Sequence, residues 1–248
     1  MSAYEALAAA YDGLTYDIPY DDMLRFMQQL LDRAHLKPET VVDLACGTGS
    51  LSVRLARAGY RVLGVDVSED MLTVASAKAM ELEENRPFFV RQDMCRLQLP
   101  EPVDWVVCML DSINYLADPA DGRAMIRRVA DSLKPGGMFI FDFNTPCKLR
   151  QLDGQVFLDE NEDSYCVWRA EFDEEENVCC YGIDLFRYTD SGLWERSFEE
   201  HREYAYTPEQ LTEYLRQAGF GDITLYGDRV LAPPTETEQR IYITAIKR

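Results

Sequence analysis

The segment that most constrains the fold of this chain is residues 41–50, VVDLACGTGS. Its apolar residues predict a short buried strand, and the small residues after them permit a tight turn. Leu51 and Leu55 follow at helical spacing, and we expect Ser50 to cap this helix and Gly59 to end it. A strand, a Gly-rich turn and a helix N-terminus in this order are typical of the ligand-binding end of a doubly wound α/β unit.

An acidic residue follows each of the first four predicted strands: Asp43, Asp66, Asp93 and Asp111. Because the carboxyl ends of parallel strands line one crevice, we expect these four carboxylates to gather there. They would repel the pyrophosphate of a dinucleotide and attract a ligand that carries a sulfonium and an ammonium group. Ser52 also stands where a dinucleotide-binding motif has its third glycine. The pattern therefore favours S-adenosylmethionine over NAD as the ligand, and an NAD-dependent oxidoreductase is disfavoured.

Four short motifs, in order and at the right spacing, resemble those of the class I S-adenosylmethionine-dependent methyltransferases. They are DLACGTG at 43–49, GVDVS at 64–68, QDM at 92–94 and LKPGG at 133–137. The resemblance extends to small-molecule enzymes of the glycine N-methyltransferase-like group and to bacterial methyltransferases with a similar inserted sheet. It implies a doubly wound, Rossmann-like, seven-stranded sheet flanked by helices. It also implies a methyl-transferring enzyme. Ala45 stands where many members carry glycine, which is a common variation.

The resemblance also implies which residues bind S-adenosylmethionine. The predicted set is Tyr11, Asp43, Ala45, Cys46, Gly47, Gly49, Asp66, Val67, Met71, Asp93, Met94 and Met109. Asp66 is suited to accept hydrogen bonds from ribose hydroxyls. Asp93 is suited to accept a hydrogen bond from the adenine amino group, or alternatively it only caps a turn. Met71 is as consistent with a core position as with a place beside the adenine.

Methyl transfer from a sulfonium is an in-line displacement, and it needs a base only if the acceptor loses a proton. Asp111 and Asn114, in the polar loop after the fourth strand, are catalytic candidates, as is Tyr11 in a Tyr-Asp pair that resembles small-molecule methyltransferases. His201 is a further candidate, but a histidine in the acidic run EEHRE is more typical of an exposed position. With two histidines and no Cys-x-x-Cys, we expect no metal site.

The hydrophobic pattern divides the chain into a core and an insertion. Residues 1–145 and 206–248 form the predicted core, with 1–36 as an N-terminal helical lid. Residues 146–205 are rich in aromatic residues and carry turn signals at 173–177 and 190–192, which predicts an inserted small antiparallel β-sheet lobe. We expect the lobe to shape the acceptor pocket or to form a homodimer surface.

Composition limits the partners and the location. The net charge of −19 disfavours binding to nucleic acid, which requires clustered Lys and Arg. We expect no membrane span and no signal peptide, because the chain has neither a long apolar run nor a basic N-terminus. Seven cysteines without a paired pattern are typical of a reduced, cytoplasmic protein.

Taken together, these features predict a methyltransferase acting on N or O of a small molecule. The alternatives are a non-catalytic S-adenosylmethionine-binding regulatory protein and an RNA methyltransferase.

Overall fold

A computed structural model describes residues 8–189 and 191–248. Over these residues the helices are α1 (Ala8–Leu14), α2 (Tyr20–Arg33), α3 (Ser50–Arg57), α4 (Glu69–Met80), α5 (Pro119–Ser132), α6 (Pro146–Gln151) and α7 (Pro208–Gln217). The strands are β1 (Thr40–Leu44), β2 (Arg61–Asp66), β3 (Phe88–Arg91), β4 (Val103–Cys108), β5 (Leu133–Asn144), β6 (Val156–Glu160), β7 (Ser164–Asp173), β8 (Val178–Tyr188), β9 (Trp194–Tyr204), β10 (Phe220–Tyr226) and β11 (Arg240–Lys247). Residues 1–7 of the predicted lid and Asp190 of the second predicted turn lie outside the described residues.

The seven-stranded sheet has the order β10-β11-β5-β4-β1-β2-β3. Strands β1 to β5 run parallel, whereas β11 is antiparallel to both β5 and β10. This confirms the predicted doubly wound sheet and its final pair of strands. The chain passes outward in both directions from the β1–β4 neighbourhood, and ligands of such sheets bind at the carboxyl ends of strands at this reversal.

Helices cover both faces of this sheet because its central strands are apolar on both sides. Along β4, Trp105 packs with α2 and α3 on one face, and Val106 packs with α5 and α7 on the other. The apolar face of α2, including Phe26 and Leu30, is buried against the sheet. Helix α2 is therefore part of the core. Of the described part of the predicted lid, α1 and Tyr20, the first residue of α2, lie at the crevice.

The four strands β6 to β9 form a separate antiparallel sheet in the order β6-β7-β8-β9. This confirms the predicted inserted lobe, although helix α6, capped by Thr145, was not predicted. One face of the sheet packs on α1 and α6 through residues such as Leu149, Ile183 and Leu185. The predicted extent of the lobe, 146–205, stays a prediction.

Two local predictions have different outcomes. Ser50 does not cap α3: Gly49, in the left-handed conformation, precedes the helix, and Ser50 is its first residue. Gly59 follows the end of α3 with φ 98°, as expected for a helix-terminating glycine.

Among the described residues no helix is long and apolar enough to cross a membrane. All seven cysteines are free thiols.

Candidate active site

A cavity of about 320 Å³ opens at the carboxyl ends of β1, β2 and β4, at the reversal point of the sheet. Its lining combines acidic side chains, small loop residues and apolar side chains. The residues are Tyr11, Tyr20, Asp43, Ala45, Cys46, Gly47, Thr48, Leu51, Val65, Asp66, Val67, Ser68, Met71, Gln92, Asp93, Met94, Met109, Leu110, Ser112, Tyr115 and Leu116. Of the predicted cofactor-binding residues, all except Gly49 line it.

The loop after β1 shapes the floor of the cavity. Ala45 and Gly47 both have positive φ, 58° and 52°, and the Cys46 N–H donates to Val65 O at 3.0 Å. A Cβ added at Gly47 would meet no atom of the chain within 4 Å, so this position is open toward the cavity. Burial raises the pKa of the Cys46 thiol well above its usual range, which keeps this side chain neutral.

Gly49 has a structural role instead of lining the cavity. Its φ is 72°, and an added Cβ would lie 2.8 Å from Ala75 Cβ and 3.0 Å from Phe89 Cζ. The glycine therefore permits α3, α4 and β3 to approach one another closely behind the loop.

Asp66, the last residue of β2, is fixed by backbone donors. Gly47 N–H donates to its Oδ2 at 2.8 Å, and Ser68 N–H donates to its Oδ1 at 2.9 Å. Burial nevertheless raises the pKa of this carboxyl, and the backbone donors oppose that shift. Each carboxylate oxygen keeps a further lone pair, so Asp66 can accept two hydroxyl hydrogen bonds from a ligand.

Asp43 is the deepest acid of the site, only 2% exposed. Ser52 Oγ donates to its Oδ2 at 2.5 Å. Burial raises the pKa of the Asp43 carboxyl to about 7, because the hydrogen bonds from Ser52 do not offset the loss of water and Asp66 adds repulsion. A cationic ligand would stabilise the charged form.

The far end of the cavity is formed by α4 and the loop after β3. Met71 is 2% exposed, as expected of a core residue, and it also lines the cavity; its place beside the adenine stays a prediction. Asp93 accepts from Cys95 N–H at 2.8 Å through Oδ1, so it caps a turn while it also lines the cavity. With Val67 and Met94, these side chains give a mainly apolar part of the lining, the Met71 slot, to which Asp93 adds a carboxylate.

Helix α1 covers the cavity and is held there by a polar cluster. Lys78 of α4 pairs with Asp12 Oδ2 at 2.6 Å and donates to Ser50 Oγ at 2.7 Å. Thr48 Oγ1 donates to Asp12 Oδ1 at 2.7 Å. These contacts bring Tyr11 to the cavity wall, where burial raises the pKa of its hydroxyl, so the phenol is neutral.

Asp111 does not line the cavity, so the structure brings together only three of the four expected carboxylates, Asp43, Asp66 and Asp93. Leu110 and Asp111 both have left-handed backbone conformations at the end of β4, φ 58° and 52°. Arg240 Nη2 donates to Asp111 Oδ1 at 2.5 Å, and Arg240 Nη1 donates to Asp142 Oδ2 at 2.7 Å. Because the carboxylate faces Arg240, this position does not support the predicted catalytic role.

Asn114 is fully buried outside the cavity. Its Nδ2 donates to the carbonyl oxygens of Asn144 and Tyr204 at 3.0 and 2.9 Å, and its Oδ1 accepts from Asn144 N–H at 3.0 Å. Both ends of the amide serve to join the loop after β4 to β5 and β9. The predicted catalytic role of Asn114 does not fit this position.

His201 is 1% exposed, so the expectation of a surface histidine is wrong. It lies on the face of β9 that packs against the core, and its Nδ1 is 3.3 Å from the Tyr115 hydroxyl of the cavity wall. Sequence reasoning did not select Tyr115, although it lies in the polar loop already expected to face the methyl group. The signal for His201 was the alternation of EEHRE within a strand, which puts residues 199, 201 and 203 on one face.

The polar, apolar and acidic groups of the lining match the chemical groups of S-adenosylmethionine. Asp66 offers acceptors for a ribose diol, the slot at Met71 is apolar on its walls, and Asp43 offers negative charge for an ammonium or sulfonium group. Gly47 leaves open space where a side chain would intrude. Among the described residues, no group of three or more His, Cys, Asp or Glu side chains is arranged to hold a metal ion. Fold and site together define a Rossmann-like S-adenosylmethionine-binding enzyme.

Comparisons with known proteins agree with this assignment. A family model described as "Methyltransferase domain" matches residues 41–137. A candidate methyltransferase of Geobacillus sp. (strain WCH70) is 32% identical over 246 residues, which cover 98% of this chain and 99% of that protein. An S-adenosylmethionine-dependent methyltransferase from Clostridium acetobutylicum ATCC 824 superposes with a TM-score of 0.85 at 28% identity and covers 99% of both chains.

A more distant solved structure shares the fold. The sugar N-methyltransferase KedS8 from Streptoalloteichus sp. ATCC 53650 superposes with a TM-score of 0.77 at 19% identity, covering 100% of this chain and 93% of that one. The chain belongs to the class I S-adenosylmethionine-dependent methyltransferases. It is an S-adenosylmethionine-dependent enzyme of that family.

Proposed function

We propose that this enzyme transfers a methyl group to a nitrogen or oxygen atom of a small molecule. The observation that carries the proposal is the shape of the cavity: α1 and the loop after β4 close its acceptor end. Tyr11, Met109, Ser112, Tyr115 and Leu116 line that end, and the lobe backs it. A cavity of about 320 Å³ that is covered by α1 suits a small acceptor better than a folded macromolecule.

The charge of the molecule supports the same choice. A net charge of −19 repels the phosphates of RNA, and the carboxylates of Asp43, Asp66 and Asp93 line the cavity itself. The sugar N-methyltransferase KedS8 shares this fold, which is consistent with an acceptor amine. All seven cysteines are free, which supports a reducing, cytoplasmic location.

The residues of this chain act mainly by binding and by excluding water. S-adenosylmethionine supplies an electrophilic methyl group on a sulfonium. In this proposal Asp66 holds the ribose, Asp93 and the Met71 slot hold the adenine, and Asp43 holds the ammonium end. Tyr11 and Tyr115 hold the acceptor, with its lone pair about 3 Å from the methyl carbon. Holding the two reactants in this geometry lowers the barrier by up to about 10 kcal/mol.

The test is transfer of radiolabelled methyl from S-adenosylmethionine into separate metabolite, RNA and protein fractions of a cell extract. We expect label in the low-molecular-weight fraction with the wild-type enzyme and none with Asp43→Ala. Label confined to RNA would replace the proposal with an RNA methyltransferase. Cofactor binding by calorimetry without transfer to any fraction would favour the non-catalytic regulatory protein.

A further inference from the structure

Strand β9 carries a stripe of ionisable side chains into the interior of the protein. Glu199, His201 and Glu203 alternate along the strand, so all three point to the face that packs against the core. They are 8%, 1% and 4% exposed. Burying two acids and an imidazole side by side is costly unless each has a partner, so the stripe requires an explanation.

Glu203 is explained by the packing of the lobe. Asn144 Nδ2 donates to its Oε2 at 2.9 Å, and Lys148 Nζ donates to Asn144 Oδ1 at 2.8 Å. Burial raises the pKa of the Glu203 carboxyl to about 8. This group joins β9 to β5 and α6, outside the cavity.

His201 and Glu199 instead connect to the cavity. His201 Nε2 lies 2.9 Å from Glu199 Oε2, and these side chains are 0% and 7% exposed. An ionised Glu199 can only accept, and with it Nε2 carries the proton and donates a hydrogen bond to Glu199. Nδ1 then presents a lone pair, and the hydroxyl of Tyr115, 3.3 Å away, donates to it. In this tautomer the hydrogen bonds run in one direction, from Tyr115 through His201 to Glu199.

Other side chains hold this arrangement and bear on its charge. The Trp168 ring from β7 meets the imidazole edge-on, with centroids 6.2 Å apart, and Tyr115 meets it at 5.7 Å. Tyr181 of β8 is the cross-strand neighbour of His201. Burial, and then the charge of Glu203, raise the pKa of the Tyr181 phenol, so Tyr181 is neutral. The charged group in contact with the imidazole is Glu199.

We propose that Tyr115 is the catalytic residue that takes the proton released by the methyl acceptor, and that His201 and Glu199 are its positioning residues. The inference rests on the proposed function, since only an N–H or O–H acceptor has a proton to lose. As the acceptor lone pair bonds to the methyl carbon, the carbon–sulfur electron pair stays on sulfur. The acceptor proton passes to the Tyr115 oxygen, the phenol proton passes to His201 Nδ1, and Glu199 stabilises the resulting imidazolium.

The relay solves a problem that the closed cavity creates. A site that excludes water keeps the released proton beside the product, unless a side chain removes it. Tyr115 lines the cavity, whereas His201 lies behind it and is out of contact with solvent. The proton can therefore leave the reacting atoms without opening α1, and it returns to water when the product leaves.

The first test reads the hydrogen bonds directly and needs no acceptor. The chain has two histidines, and the other, His35, is exposed. We label histidine with ¹⁵N and record the NMR spectrum of the protein with S-adenosylmethionine bound, which contains signals from two imidazole rings. His35→Asn, a change that suits the φ of 55° there, assigns the signals. We expect a protonated Nε2 and an unprotonated Nδ1 on His201, with only the Nδ1 signal moving in Tyr115→Phe. A protonated Nδ1, or an Nδ1 signal indifferent to Tyr115→Phe, would overturn the relay.

The second test uses the metabolite fraction that accepts label in the radiolabelled assay, at saturating S-adenosylmethionine. Tyr115→Phe should slow transfer about a hundredfold, while cofactor affinity by calorimetry stays within about twofold. His201→Gln should slow transfer similarly, while its affinity for S-adenosylmethionine also stays within about twofold of wild type. Glu199→Gln should slow transfer less, and melting temperatures of all three variants report folding. Wild-type rates in Tyr115→Phe or in His201→Gln would refute the proposal. If no fraction accepts label, the proposed function fails, and the ¹⁵N spectrum still decides the hydrogen-bond relay.

Discussion

Asp43 contributes charge to the site at a cost to the stability of the empty protein. Its pKa is raised from 3.8 to about 7, so the folded protein binds this proton more tightly than the unfolded chain does. The stabilising contribution is therefore full below about pH 4 and is lost as the pH rises to about 7. Asp43→Asn should remove this dependence, and its melting temperature relative to wild type should rise from pH 5 to pH 8. The difference corresponds to a few kcal/mol at most, at about 1.4 kcal/mol per pKa unit.

The same substitution should weaken S-adenosylmethionine binding about tenfold or more at pH 8, because the neutral amide does not attract a cation. For the wild type, affinity should increase with pH as Asp43 ionises. Calorimetric titrations at pH 6 and pH 8 measure both effects. Asp70→Asn changes an exposed carboxylate on α4 and serves as the matched control. Equal affinity of wild type and Asp43→Asn at pH 8 would contradict the assignment of Asp43 to the cationic end.

Alanine substitutions at the two loop glycines, Gly47 and Gly49, should differ in their effects: one should mainly weaken cofactor binding and the other should mainly lower stability. Both have positive φ, so alanine costs about 1 kcal/mol of strain at either position. At Gly47 the methyl group meets no chain atom and enters cofactor space, so Gly47→Ala should weaken cofactor binding with a modest loss of stability. At Gly49 the methyl group meets Ala75 and Phe89, so Gly49→Ala should cost about 3 kcal/mol. Urea unfolding and calorimetry measure the two effects, and similar profiles for both variants would contradict this division.

Among helices and strands, α1 depends most on a few polar contacts. It has two turns, and Lys78 joins its Asp12 to Ser50 at the start of α3. Lys78→Met should loosen α1, weaken S-adenosylmethionine binding about fivefold and speed proteolysis of the 15–19 segment, since such a half-exposed ion pair contributes about 1 kcal/mol. Arg91→Met removes an exposed ion pair that α4 makes with β3 through Glu69, and is the control. Identical proteolysis of both variants would show that the Lys78 cluster does not hold α1.

The elements of the core could be predicted from the sequence because they are encoded locally. Residues 41–50 fix a strand, a turn and a helix within ten positions, and Asp66 and Asp93 follow from the strands that precede them. Asp111 could not be placed, because consecutive left-handed residues at the end of β4 and a partner from β11, Arg240, determine where its carboxylate points. The prediction that His201 is exposed was wrong because it relied on the acidic composition of residues 199–203, whereas the alternation of a strand puts residue 201 on the buried face.

At the scale of the molecule, the lobe leaves one face of its sheet uncovered by the described residues. Strand registers put Leu158, Phe186, Trp194 and Phe198 on the face opposite the packed one. Leu158, Trp194 and Phe198 are 45% to 59% exposed. At the centre of this face Asp184 is paired with arginines from both neighbouring strands. Several exposed apolar side chains on one face make it a candidate surface for association with another protein.

The predicted homodimer stays a prediction, and this face of the lobe is where we expect its two copies to associate. A twofold arrangement would place the same apolar side chains of each copy against each other, as isologous interfaces require. Leu158→Glu combined with Phe198→Glu introduces charges that cannot be paired across such an interface, so this variant should be monomeric while wild type is dimeric. Light scattering after size exclusion measures the mass. Phe88→Glu, at a more exposed apolar position on β3 of the core, should leave the dimer intact. A wild-type mass of one chain at micromolar concentration would contradict the prediction, and so would a dimer that survives both lobe substitutions.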